Sequence, residues 1–160
     1  MKLLEGVQIN SLQSLANYNT LHVGGLAQWL AEPKNINEIS QLINWVKENN
    51  LKTHIIGAGS NLLISDSDLK GLSLCMKRLQ GITVSPQEGL LEALGGEPLP
   101  RIAMQAAKAG LHGLEWAVGI PGTVGGAAVM NAGAQNSCTA EWLDSVQVMS
   151  LEEGKIFEIK

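Results

Sequence analysis

Two glycine-rich segments of the sequence carry the residue pattern best suited to ligand binding. Residues 57–62, the Ser60 segment, read Gly-Ala-Gly-Ser-Asn-Leu, and residues 119–127, the Thr123 segment, read Gly-Ile-Pro-Gly-Thr-Val-Gly-Gly-Ala. Backbone without side-chain cover lets N–H groups approach an anion or a flat ring closely. Each segment alone is either a ligand-binding loop or a tight turn. Two such segments, both with hydrogen-bonding side chains, favour a ligand.

The Ser60 segment departs from the dinucleotide fingerprint Gly-x-Gly-x-x-Gly. Leu62 stands where the third glycine is expected, and residues 62–64 form an apolar run that predicts a strand rather than a helix. A nicotinamide site of the Rossmann type is therefore disfavoured, because it places the pyrophosphate at a helix N-terminus. A structural turn and a nest of N–H groups for a phosphate both remain open.

The Thr123 segment is predicted to be a stiff loop. It lacks a Gly-Lys-Ser/Thr sequence, which excludes a nucleotide-hydrolysing P-loop. Neither segment contains lysine or arginine, and we expect Lys77, Arg78 and Arg101 to be available only at a distance. Backbone dipoles and hydroxyl groups must then hold a pyrophosphate. This arrangement suits a dinucleotide buried along the chain better than an exchangeable triphosphate.

The other residues of chemical interest form no recognisable site. His22, His54 and His112 lack the spacing of a metal site, so no metal is predicted. Cys75 and Cys138 form no Cys-x-x-Cys pair and are predicted to be reduced thiols. Residue order supports no Ser-His-Asp arrangement, and we assign no catalytic residue.

Composition limits the classes of function. The 160 residues carry a net charge of −4 with no basic stripe, which argues against nucleic-acid binding. No apolar run approaches the roughly 20 residues that cross a bilayer. The start of the chain has no continuous apolar segment and does not read as a secretory signal. We therefore expect a cytoplasmic protein without nucleic-acid or membrane partners.

The apolar pattern predicts a mixture of helices and strands, an α+β fold. Residues 1–18 are predicted to be a leader or a short helix. A long helix is expected after Asn35, because Asn35 and Glu38 form a capping box ahead of an apolar stripe. Buried strands are expected at residues 54–56 and 71–76.

The second half of the chain repeats this mixture. Strands at residues 82–84 and 90–94 precede a helix that begins near Pro98, since proline is tolerated in a first turn. Residues 146–159 alternate about a turn and predict a hairpin. The chain stops at Lys160, within this strand-like run, which indicates truncation at the carboxyl end.

Three runs of sequence, in this order, resemble the UDP-N-acetylenolpyruvoylglucosamine reductase (UDP-N-acetylmuramate dehydrogenase, MurB) family. They are residues 19–25, 57–63 and 110–134. The resemblance implies an FAD-binding domain of the vanillyl-alcohol-oxidase (PCMH) type, with FAD in a cleft between two lobes. The lobes would be residues 19–78 and 79–160, the second incomplete, and the substrate domain would be absent.

The resemblance also implies which residues bind FAD. The pyrophosphate would be cradled by Gly57, Ala58, Gly59, Ser60, Asn61 and Leu62. The flavin side of the cofactor would lie against Gly119, Ile120, Pro121, Gly122, Thr123, Gly125, Gly126 and Ala127. Four more residues would sit near the cofactor face of the first lobe: Asn19, Thr20, Gly24 and Gly25.

The implied reaction is the reduction of UDP-N-acetylenolpyruvoylglucosamine to UDP-N-acetylmuramate in peptidoglycan precursor synthesis. NADPH would be the hydride donor and the UDP-sugar the substrate. The family's catalytic serine, arginine and glutamate come later than the motifs present here. We therefore expect the catalytic residues after Lys160 and expect this chain to be inactive alone.

Two alternatives to this reaction stay open. One is a flavin oxidase of the same fold, and the other is a non-catalytic flavin- or nucleotide-binding module. The oligomeric state is not predicted.

The sequence departs from the family pattern at two places. His22 stands where the family usually has arginine, which puts a phosphate or ribose contact in doubt. Gln135 and Asn136 stand where a tyrosine–glycine pair is common, a change that affects only the shape of a loop.

Overall fold

A five-stranded mixed sheet forms the first part of the fold, in a computed structural model that describes residues 2–4 and 6–160. The strand order is β1-β2-β3-β5-β4. Strands β1 to β3 pair antiparallel, whereas β3 and β4 each pair parallel with β5. The strand bounds are β1 Lys2–Leu4, β2 Val7–Ser14, β3 Leu26–Ala31, β4 Thr53–Ile56 and β5 Leu69–Cys75.

The predicted long helix is α1, Ile36–Glu48. Asn35 caps it, because its side chain accepts a hydrogen bond from the Glu38 N–H at 2.9 Å. The buried stripe of α1 covers one face of the sheet, where Leu42 and Trp45 pack against strand residues. The opposite face is covered by a smaller cluster around Leu15.

Strand β2 overturns the prediction of a leader or short helix for residues 1–18. Ile9 of β2 lies opposite Ala31 of β3 and is fully buried. Only Val7 and Ile9 show a clear apolar alternation before polar residues take over, which is too short a pattern to distinguish a strand. Met1 and Glu5, also covered by that prediction, lie outside the described residues.

The strand predicted at residues 62–64 is also wrong. These residues have no regular secondary structure. Leu62 and Ile64 pack under the sheet against the Leu15 cluster, whereas the Leu63 side chain is 83% exposed. The apolar run therefore serves to anchor a loop rather than to extend the sheet.

The second part of the fold packs two small hairpins and three helices on a separate core. Leu99, Ile102 and Trp116 are buried at its centre. Gly110, at φ +75°, follows the end of the first of these helices in the left-handed conformation that glycine favours. The elements are β6 Ile82–Ser85, β7 Leu90–Ala93, α2 Leu99–Lys108, α3 Val124–Met130, β8 Gly133–Ala134, β9 Ser137–Cys138 and α4 Thr139–Trp142.

The prediction of a loop for the whole Thr123 segment is wrong at its end, because residues 124–127 belong to helix α3. The loop ends at Thr123, whose side chain accepts a hydrogen bond from the Gly126 N–H at 3.3 Å and caps the helix. Glycine is a poor helix former, so propensity alone disfavours a helix here. Close packing compensates for this low helix propensity, since a Cβ at Gly125 would lie 3.0 Å from the Gly95 carbonyl oxygen.

A fourth small cluster joins the two parts. Ile39 and Ile43 of α1 pack with Leu79, which follows the 3₁₀ turn Met76–Arg78. Met149 of the terminal hairpin also packs there. That hairpin, β10 Val146–Met149 and β11 Ile156–Ile159, agrees with the sequence prediction. No helix in the described part of the chain is long and apolar enough to span a membrane.

Candidate functional site

The Ser60 and Thr123 segments contact each other. The Ser60 hydroxyl donates a hydrogen bond to the Pro121 carbonyl oxygen at 3.0 Å. A Cβ placed on Gly57 would lie 2.6 Å from Thr123 Oγ1, so the glycine leaves room for the threonine. The two segments therefore form one site, at the place where the two parts of the fold meet.

Both segments present backbone N–H groups that have no acceptor. Among the described residues, the N–H groups of residues 57–61 donate to no protein oxygen, and the same holds for Gly122 and Thr123. Unpaired backbone donors are uncommon in folded proteins unless water or a ligand satisfies them. Clustered donors of this kind form a nest for an anion such as phosphate.

The Thr123 segment is held in place by a short bridge to the residues that precede α2. The Val124 N–H donates to the Glu97 carbonyl oxygen at 2.8 Å, and the Gly125 N–H donates to that of Gly95 at 2.8 Å. The sequence predicts only that a helix begins near Pro98, and it gives residues 95–97 no part in the site. The two adjacent glycines, Gly95 and Gly96, are the sequence signal for close backbone packing here. Gly96 has no room for a side chain beside the Met76 carbonyl.

A cavity of about 330 Å³ opens between the two parts of the fold. Ala58 of the Ser60 segment and Gly122 of the Thr123 segment both contribute to its wall. Lys77, which the sequence predicts to be available only at a distance, lies in the cavity wall, and so does Gln80, which no sequence motif indicates. The lining residues are Ala58, Lys77, Gln80, Gly96, Pro98, Pro100, Pro121, Gly122 and Thr123.

A second cavity of about 440 Å³ shares Gln80 with the first. Its wall includes Glu97, which is 1% exposed, and Arg101, whose guanidinium lies 3.0 Å from the Glu97 carboxylate. The ion pair compensates the burial of the Glu97 charge. The cavity is therefore polar on this side, while Ile82 and Val84 supply apolar wall.

The four residues predicted near the cofactor face of the first lobe fall into two pairs. Asn19 is buried, and its amide donates to the carbonyl oxygens of Leu15 and Val23. The N–H of its neighbour Thr20 donates to the Gly59 carbonyl oxygen at 3.2 Å, which ties this turn to the Ser60 segment.

Gly24 and Gly25 instead pack on the loop beyond the Ser60 segment. A Cβ on Gly24 would overlap Ile64, and one on Gly25 would lie 2.5 Å from the Asp66 carbonyl oxygen. The Gly25 N–H donates to the Ser65 carbonyl oxygen at 2.9 Å. The structure thus gives this pair a packing role, and among the described contacts none joins it to either segment.

The remaining predicted residues differ in exposure. In the Ser60 segment Gly59 is buried against Tyr18 and Asn19, whereas Asn61 is exposed. In the Thr123 segment Ala127 is buried in the second core, whereas Gly119 and Gly126 are exposed. Ile120 is half-buried against that core.

Lys160 is the residue after which the catalytic residues are expected. It follows β11 directly and is exposed, and it lines neither of the two cavities. The catalytic residues after Lys160 stay a prediction, and no residue of the site is assigned a catalytic role.

The two departures from the family pattern lie in turns. His22 has a φ of +54° and is exposed, and its Nδ1 lies 3.2 Å from the Ala16 carbonyl oxygen. Gln135 and Asn136, with φ values of +53° and +63°, form the two-residue turn between β8 and β9. Two positive φ values are typical of a type I′ hairpin turn, which favours glycine at the second position.

Glu115 is the one acid in the predicted motifs with a shifted pKa among the described residues. Backbone N–H groups, first its own and then that of Gly113 at 2.8 Å, lower the pKa of this exposed carboxyl. The carboxylate therefore accepts from backbone N–H groups at the start of the 3₁₀ turn Glu115–Gly119. The described residues contain no cluster of three metal-ligating side chains.

A two-part α+β fold with a nest of N–H groups at the junction is the architecture of an FAD-binding domain of the vanillyl-alcohol-oxidase (PCMH) type. The chain belongs to the FAD binding domain family, whose sequence model matches residues 27–160.

Within this family the chain is similar to UDP-N-acetylenolpyruvoylglucosamine reductases. It is 56% identical to the enzyme of Prochlorococcus marinus strain MIT 9313, over 99% of this chain and 52% of that protein. It is 57% identical to that of Synechococcus sp. strain CC9605, over 91% of this chain and 49% of that protein. The chain therefore spans about half the length of the curated relatives it matches.

Solved structures agree with this assignment. The reductase (MurB) of Thermus caldophilus superposes with a TM-score of 0.75 at 30% identity, over 96% of this chain and 52% of that one. The 6-hydroxy-D-nicotine oxidase of Arthrobacter nicotinovorans gives a TM-score of 0.69 at 14% identity, over 96% of this chain and 35% of that one. The second likeness shows a shared fold alone. The predicted family and fold class are confirmed.

Proposed function

We propose that this chain is the FAD-binding part of a UDP-N-acetylenolpyruvoylglucosamine reductase. The identity of more than half of the residues to two such reductases supports the reaction. The assignment of FAD as cofactor rests on the two glycine-rich segments. In the described part of the chain, the N–H groups of residues 57–61, Gly122 and Thr123 lack acceptors. As the chain covers about half of those relatives, the whole reaction is a proposal for the protein to which this part contributes.

The residues present fit the diphosphate of FAD. In this proposal the N–H groups of residues 57–61 bind the diphosphate, and the Ser60–Pro121 hydrogen bond keeps the Thr123 segment beside them. The hydrogen bond from the Thr20 N–H to the Gly59 carbonyl oxygen holds the Ser60 segment in place. Gly119, Ile120, Pro121, Gly122, Thr123, Gly125, Gly126 and Ala127 stay the predicted flavin side, with helix α3 as its support.

Bound FAD would supply two-electron chemistry, carrying a hydride from NADPH to the enolpyruvyl double bond of the UDP-sugar. The role of this chain's residues is to bind and orient the cofactor, and the catalytic residues are proposed to follow Lys160. NADPH, the UDP-sugar substrate and a cytoplasmic location are parts of the proposal. So is the division into lobes at residue 78, which the separate cores of the two parts support.

Absorbance spectroscopy tests the proposal. The purified chain, reconstituted with FAD and desalted, is expected to keep the two bands of oxidised flavin. In a protein of the relatives' full length, NADPH should bleach these bands and the UDP-sugar should restore them. A protein bleached instead by an alcohol and restored by oxygen would be a flavin oxidase. Failure of this chain to retain or bind FAD would contradict the assignment of the cofactor site.

A further inference from the structure

Lys77 lies at the junction between the two parts of the fold. It belongs to the 3₁₀ turn Met76–Arg78, directly after β5, and it lines the cavity of about 330 Å³ together with both glycine-rich segments. The side chain is half-buried. Neither of the two ion pairs found among the described residues includes it. Lys77 thus brings an unneutralised positive charge to this cavity.

The wall of the cavity offers donors and no acid. Three of its residues, Ala58, Gly122 and Thr123, have backbone N–H groups without an acceptor in the described structure. None of its lining residues is aspartate or glutamate. A lysine beside several unpaired N–H groups attracts an anion, because each donor gains a charge-assisted hydrogen bond from the same oxygens.

We propose that Lys77 is the cation of the diphosphate site, binding FAD through its ammonium group while the two segments bind through their N–H groups. The inference rests on the proposed function, since the diphosphate is that of FAD. Lysine suits this role because its compact charge on a flexible stem reaches phosphate oxygens without a fixed geometry. The sequence predicts that backbone dipoles and hydroxyl groups hold the diphosphate without a nearby cation. With Lys77 in the site, a cation contributes as well.

The test compares FAD affinities of variants by fluorescence titration at about 50 and 300 mM salt. Lys77→Met and Lys77→Gln remove the charge, Lys77→Arg keeps it, and Lys34→Met removes one exposed charge elsewhere. We expect the two neutral Lys77 variants to weaken binding by about tenfold or more at low salt. Their affinities should also depend less on salt than that of the wild type, because one charge contact is missing.

The controls define what would overturn the inference. Lys77→Arg and Lys34→Met should bind FAD within about threefold of the wild type, and circular dichroism should show every variant folded. Neutral variants with unchanged affinity, or with weakened binding and an unchanged salt dependence, would overturn the role of Lys77. Either result would leave the proposed function standing. A wild-type chain that binds no FAD at all would contradict the proposed function as well.

Discussion

Ser60 and Pro121 are joined by a hydrogen bond of 3.0 Å between side-chain hydroxyl and backbone carbonyl, across 61 residues of sequence. This contact brings two glycine-rich segments together at the junction of the fold. The contact brings N–H groups that no described protein atom accepts to one place, which is the arrangement that the proposed diphosphate site requires.

Ser60→Ala removes the direct hydrogen bond between the two segments. We expect the free energy of unfolding to fall by about 0.5–1.5 kcal/mol and FAD affinity to fall by about three- to tenfold. Urea unfolding and FAD titration measure the two effects. Ser40→Ala is the matched control, since the Ser40 hydroxyl also donates to a backbone carbonyl, that of Ile36 within α1. A control that loses as much FAD affinity would show that the effect is not local.

Gly57 and Thr123 should be energetically coupled. A Cβ at Gly57 would lie 2.6 Å from Thr123 Oγ1, so Gly57→Ala must displace the residue that caps α3. We expect Gly57→Ala to cost about 1–3 kcal/mol of stability, and Thr123→Ala to cost about 1 kcal/mol through loss of the cap.

The double variant distinguishes this contact from independent effects. Because Thr123→Ala removes the obstructing hydroxyl, the double variant should be more stable than the sum of the single changes by about 0.5 kcal/mol or more. Gly119→Ala serves as a control, since nothing lies within 4 Å of a Cβ there. Strict additivity of the free energies of unfolding would contradict the placement of these two residues.

Gly59 should tolerate no side chain, for two separate reasons. Its φ is +74°, and a Cβ would overlap the Tyr18 carbonyl and the Asn19 Cα. Gly89 has a φ of +70° but open space around it, so Gly89→Ala reports the cost of the φ value alone. We expect about 1–2 kcal/mol of destabilisation for Gly89→Ala and about 2–4 kcal/mol for Gly59→Ala. Equal losses in thermal or urea unfolding would argue against the packing of Gly59 on residues 18 and 19.

Cys75 should be much less reactive than Cys138. Burial raises the pKa of the Cys75 thiol, and a hydrogen bond from the Lys77 backbone N–H only partly offsets it. Cys138 is half-buried, and neither cysteine is in a disulfide. Alkylation followed by mass spectrometry should label Cys138 first at neutral pH. Faster labelling of Cys75 in the folded protein would contradict its burial.

The raised pKa of Cys75 also predicts a pH dependence of stability. The thiol is held neutral in the folded state, so its contribution is present below the unfolded pKa of about 8.5 and is lost as pH rises above it. The free energy of unfolding of the wild type should therefore fall relative to that of Cys75→Ala between about pH 8 and pH 10. A constant difference over this range would show that Cys75 has no shifted pKa.

Local signals were enough to predict several elements. The capping residues Asn35 and Glu38 and the apolar stripe behind them specify α1 almost completely. Alternation about a turn likewise predicts the β10–β11 hairpin. In each case the residues that determine the element lie next to one another in sequence.

Elements that depend on distant packing were missed. Helix α3 contains two glycines that disfavour a helix, and its packing against Gly95 becomes visible only in the fold. Strand β2 is mostly polar, and its pairing with β3 determines its conformation. Lys77 belongs to the site only because β5 ends at the junction between the two parts. Sequence motifs therefore identified both segments but not the residues that complete the cavity.

Amide NMR spectra of the ¹⁵N-labelled chain, recorded during titration with FAD, test the central claim most directly. We expect FAD to shift the amide signals of residues 57–61, Gly122 and Thr123 and to slow their hydrogen exchange, because these N–H groups gain acceptors. The amides of β10 and β11 should be unchanged. Saturable binding of FAD that leaves the amides of both glycine-rich segments unaffected would contradict the account.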